Sequence, residues 1–94
     1  MFDIGSRKWA GLTKIIEETG ELNQVIGKLM GNRGETKHFD GSDLHEKLME
    51  EMSDVWAALV FVSFHNNLDE EKMTQRIDEK ISLFNEWHNQ NLEK

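Results

Sequence analysis

The chain has 94 residues, with 11 Lys and Arg against 18 Asp and Glu, a net charge of −7 and neither cysteine nor proline. Disulfides and thiolate zinc sites are excluded, which fits a reducing, cytoplasmic setting, and the scattered basic residues make no stripe for a nucleic-acid polymer. No apolar run approaches the roughly 20 residues of a membrane span and no basic-then-apolar leader pattern opens the sequence, so neither membrane nor polynucleotide is expected as a partner. In chain order, Trp9, Leu12, Ile15, Ile16, Leu22, Val25, Ile26 and Leu29 recur every three or four residues and predict a helix over about 6–30. Glycines at 31, 34 and 41 bound a loop over 31–41, long enough to suggest a function of its own.

Ser42 is the expected cap of a second helix that continues to about His65, with Asp43 and Glu46 near its positive end. Asn66-Asn67 should stop it, since Asn tolerates the left-handed conformation of a helix end. Asp69 then caps a third helix whose inner face carries Met73, Ile77, Ile81, Phe84 and Trp87. Residues 1–94 are thus expected to form one all-α domain of three main helices. The stretch from Val55 to Phe64 is apolar almost all round, and a helix in a three-helix monomer hides only one side. The expectation is an antiparallel helical bundle completed by oligomerisation: a homodimer, with a tetramer of two dimers as the alternative.

The chemistry lies in two acidic clusters set in apolar sequence, Glu17-Glu18-Thr19-Gly20-Glu21 and Glu51-Met52-Ser53-Asp54. In each, two carboxylates at i and i+3 stand one turn apart on one helix face. At about 100° per residue, Glu18 and Glu51 fall on the borders of the apolar stripes, with Glu21 and Asp54 beside them on the polar side. If the stripes face each other, the four converge. Carboxylates taken out of water need a partner, and an all-oxygen donor set suits a hard cation, Mg2+ or alternatively Mn2+, over zinc or copper. A di-iron bundle would need Glu-x-x-His on its helices, and here that spacing occurs at Glu35–His38, in the loop.

At these residues the chain resembles the MazG-like family of all-α nucleoside triphosphate pyrophosphohydrolases. That family's signature is EExxE on one helix and ExxD on the next, seen here as Glu17-Glu18-Thr19-Gly20-Glu21-Leu22 and Glu51-Met52-Ser53-Asp54-Val55. The similarity extends from about Leu12 to Trp87. It implies that Glu18, Glu21, Glu51 and Asp54 bind magnesium and that Glu17 assists through a water or a second metal. The implied reaction splits a nucleoside triphosphate between its α- and β-phosphates, giving a monophosphate and pyrophosphate. The resemblance also points to Lys80 and Asn85 as substrate contacts on the third helix. Lys14, one turn before Glu18, would contact a phosphate or form a side-chain ion pair. His38, Phe39 and Asp40 are placed in the loop to close over a nucleobase. Two alternatives stand beside this reading: phosphoribosyl-ATP pyrophosphohydrolase, and a non-catalytic helical oligomerisation or regulatory module.

Overall fold

The computed structural model describes residues 8–38 and 40–92. Three helices account for the fold, α1 over Leu12–Gly31, α2 over Leu44–His65 and α3 over Glu70–Leu92, and the described residues include no strand. The all-α expectation holds. No described helix is long and apolar enough to cross a membrane.

The first helix begins later than its hydrophobic period suggested. Residues 8–11 form a turn, and Gly11 takes a left-handed φ of 91° just before Leu12. A β-carbon at Gly11 would meet Phe61 Cδ1 at 2.6 Å, so the missing side chain lets the start of α1 press onto the far end of α2. Trp9, expected on the buried helical face, therefore sits in this turn and is half exposed. At its other end α1 closes in a Schellman motif: the Gly34 N–H donates to the Leu29 carbonyl at 2.8 Å and the Arg33 N–H to that of Met30 at 3.3 Å, with Arg33 left-handed at φ 57°.

The start of α2 is a second correction. Asp43, not Ser42, is the cap; its carboxylate accepts from the N–H groups of His45 at 2.9 Å and Glu46 at 3.3 Å. Ser42 is committed elsewhere, donating to Asp40 Oδ1 from both its backbone N–H at 2.9 Å and its hydroxyl at 2.6 Å. The end of α2 is as expected, with Asn66 following the last helical residue and Asn67 left-handed at φ 53°. Asp69 also behaves as expected, accepting from the Lys72 N–H at 3.1 Å.

α1 and α2 form an antiparallel hairpin, and this is the substantial helix–helix packing among the described residues. Its buried apolar side chains are Val25, Leu44, Ala58 and Val62. One end is tied by the Asn66 amide, which donates to the Ala10 carbonyl at 2.9 Å. At the other, the Asn32 amide bridges the carbonyls of Glu35 and Lys37, and Leu44 N–H donates to Thr36 O at 2.6 Å. Ile16, expected in the core, is instead 74% exposed, because Val25 and its neighbours set the buried line along a different edge of α1. α3 leaves the hairpin after residues 66–69 and touches it at few points, one being the Ser63 hydroxyl, 3.7 Å from Met73 Sδ.

Candidate metal centre

Pairing α1 with α2 in antiparallel register sets the middle of one helix against the middle of the other. Glu18 and Glu21 come from α1, Glu51 and Asp54 from α2, and each offers a carboxylate oxygen within 4.8 Å of those of the other three. Glu18 and Glu51 are half-buried, Glu21 and Asp54 exposed, as the helical wheel predicted. The four expected metal ligands do meet.

Their environment is hostile to negative charge. Glu18 Oε2 and Glu51 Oε2 are shut off from solvent and accept no hydrogen bond. Loss of water raises the pKa of Glu18 above the ordinary carboxylate value, and the nearby charges of Glu21, Asp54 and Glu17 raise it further. Glu51 is raised for the same leading reason, then by Glu21 and Asp54, with Lys47 offsetting part of the effect. A buried carboxylate oxygen without a partner is expensive, and two at one point in a cluster of four carboxylates form an incomplete charge arrangement. An oxygen-seeking divalent cation fits this donor set, bringing the missing positive charge to both orphaned atoms.

Beside the cluster lies a cavity of about 350 Å³ lined by Lys14, Glu18, Asp54, Ala57, Ala58 and Phe61. It therefore shares two of the four carboxylates and runs from them toward the N-terminal end of α1. Lys14 forms a side-chain ion pair with Glu17 rather than with Glu18, its Nζ 3.0 Å from Glu17 Oε2. That hydrogen bond raises the lysine's pKa, so the ammonium is firmly charged at the wall of the cavity. Glu17 is exposed and stands outside the group of four.

The remaining candidates lie apart. His38 is half-buried in the 32–43 connection, with Nδ1 at 3.2 Å from Asp40 Oδ1. Donation from the Ser42 hydroxyl and N–H, followed by His38, holds the Asp40 carboxyl well below the usual carboxylate range. This connection joins the end of the hairpin opposite to that toward which the cavity extends, about 10 Å or more along α2 from Glu51. Phe39 lies outside the described residues. Lys80 and Asn85 sit on α3, and neither lines the cavity. Ala57, Ala58 and Phe61, which the sequence placed within the apolar run from Val55 to Phe64 but not among the candidate site residues, form a cavity wall. The signal was the Ala57-Ala58 pair, two small side chains in a run of bulky ones.

Fold and site together define an all-helical protein with a four-carboxylate cluster on a helical hairpin. Compared with protein-family models, curated proteins and solved structures, the chain matches none.

Proposed function

We propose that this protein is a Mg2+-dependent nucleotide pyrophosphohydrolase that cleaves (deoxy)nucleoside triphosphates between the α- and β-phosphates. The observation that carries the reading is the convergence of Glu18, Glu21, Glu51 and Asp54, with two of their oxygens dry and unpartnered. These are the same four positions at which the sequence resembles the MazG-like signature, so motif and geometry support one another. Glu18, Glu21, Glu51 and Asp54 would hold the cation, with Mn2+ an acceptable substitute on the same oxygen donors. When bound, such a cation neutralises polyphosphate charge and lowers the pKa of a coordinated water.

The chain's own residues supply the rest. Lys14 presents a positive charge at the cavity wall, where exchange of its Glu17 partner for a phosphate oxygen replaces one anion by another. Glu17, released in that exchange and adjacent in sequence to Glu18, on which its charge acts, can accept the proton of an attacking water. Ala57, Ala58 and Phe61 provide an apolar wall for the nucleoside part.

Pyrophosphate release from a panel of canonical and modified nucleoside triphosphates, with phosphoribosyl-ATP included, tests the proposal in the presence of Mg2+ or Mn2+. Glu51→Gln should reduce turnover by about a hundredfold or more while leaving the helix content unchanged. No release from any substrate, or an undiminished rate in the variant, would refute it. Loss of fold or assembly in Glu51→Ala and Asp54→Ala, without turnover in the parent, would instead favour the non-catalytic helical module.

A further inference from the structure

The two helices of the hairpin carry the same charge pattern. Lys14, Glu18 and Glu21 on α1 and Lys47, Glu51 and Asp54 on α2 share one spacing, a lysine followed by carboxylates four and seven residues later. At about 100° per residue each lysine falls between the two carboxylates of its own helix, so both lysines share the face that builds the cluster. Because α1 and α2 run antiparallel, this repeat sets one lysine beyond each end of the cluster. Their Cα atoms lie about 16 Å apart along the hairpin at the helical rise, each ammonium on a flexible stem.

The two ends are not equivalent. Lys14 is paired with Glu17 and lines the cavity with Ala57, Ala58 and Phe61, the wall proposed for the nucleoside. Lys47 is exposed, does not line that cavity and makes no ion pair among the described residues. It is still close enough for its charge to act on Glu51, where it opposes the rise in the carboxyl's pKa. A polyphosphate held at the cluster, with its nucleoside against Phe61, has its free end on the side of Lys47.

We infer that Lys47 receives the β- and γ-phosphates and the departing pyrophosphate, and so fixes the direction in which the substrate lies. The assignment rests on the hydrolase reading of the cluster. In that cleavage a water oxygen bonds to the α-phosphorus and its proton passes to Glu17. The oxygen bridging the α- and β-phosphates leaves on pyrophosphate with the electron pair of the broken bond. Negative charge grows on the leaving group as that bond opens, and an ammonium already in place there acts more strongly on the transition state than on the bound substrate. Lys14, at the other end, meets the part of the substrate that stays behind.

Calorimetric titration of the full chain with inorganic pyrophosphate, in saturating Mg2+, reads this contact without turnover. Lys47→Gln should weaken pyrophosphate binding at least about tenfold, and Lys47→Arg should recover most of it. Nucleoside monophosphate, which lies on the cavity side, should bind parent and variant alike within about twofold. Mg2+ alone should bind Lys47→Gln no more weakly, since a neighbouring positive charge is lost. With substrate, Lys47→Gln should lower kcat for a nucleoside triphosphate about tenfold or more. No pyrophosphate uptake by the parent, equal affinity in parent and Lys47→Gln, or a matching loss for monophosphate or for Mg2+ would overturn the inference. Pyrophosphate binding that depends on Lys47 in a chain that turns over no nucleotide would leave this contact standing and sink the hydrolase. Turnover untouched by Lys47→Gln would do the reverse.

Discussion

Replacing Gly11 by alanine tests how the hairpin is pinned at the end nearest the cavity. The added Cβ would lie 2.6 Å from Phe61 Cδ1 and 3.0 Å from both Phe61 Cε1 and Val62 Cγ2, on a backbone with φ 91°. Holding an L-residue in the left-handed region costs about 1–2 kcal/mol. Overpacking against α2 adds about 1–3 kcal/mol, toward the low end because the Phe61 ring, half-buried, can shift. The stiffer unfolded chain returns about 0.4–1 kcal/mol. The net loss should be about 1–3 kcal/mol, read from urea unfolding followed by circular dichroism at fixed protein concentration. Gly11 lies seven residues, two turns, before Glu18. The folded variant should therefore keep its cation affinity while its cavity, whose wall includes Phe61, is disturbed. A stability loss under about 0.5 kcal/mol would show that α1 does not depend on this close approach.

Asp43→Ala should cost about 1 kcal/mol in the same unfolding assay, whereas Ser42→Ala should leave the start of α2 in place; equal losses would undo the assignment of the cap. Arg33→Gly should gain about 0.5–1 kcal/mol, because glycine takes the φ of 57° without the clash of a β-carbon and returns part of that through its greater chain freedom; destabilisation would mean that the arginine side chain matters more than its backbone. The cation-free protein should become more stable as pH falls through the raised folded-state pKa values of Glu18 and Glu51 toward the ordinary glutamate range of about 4.5. Glu18 and Glu51 have raised folded-state pKa values, so in that window the folded chain binds more protons than the unfolded one. The slope should flatten in Glu18→Gln/Glu51→Gln and in saturating Mg2+; a slope of the opposite sign, or one untouched by the double variant, would contradict the desolvation of these two groups.

Much of this was legible in the residues. The helix types, the stop at Asn66-Asn67 and the convergence of Glu18, Glu21, Glu51 and Asp54 follow from periodicity and the angular spacing of side chains, which are local properties. What the sequence hid was mostly tertiary. Trp9 and Ile16 keep helical spacing with the α1 core, yet Trp9 lies in a turn because the close contact of Gly11 with Phe61 fixes where α1 starts, and Ile16 lies in solvent because the buried line runs along the edge of Val25. Ser42 and Asp43 are both good caps by residue type. The choice falls to Asp43 because Ser42 is drawn into the turn around Asp40. The separation of His38 from the cavity depends on which end of the hairpin opens, and no motif in the loop reports that.

The central claim is that four carboxylates from two helices grip a divalent cation. Isothermal titration of Mg2+, and separately Mn2+, into the cation-free protein at pH 7.5 measures it without requiring any substrate. Saturable uptake that weakens at least about tenfold in Glu51→Gln, with helix content retained, is the predicted result. No uptake by the parent chain, or the same affinity in parent and variant, would contradict it.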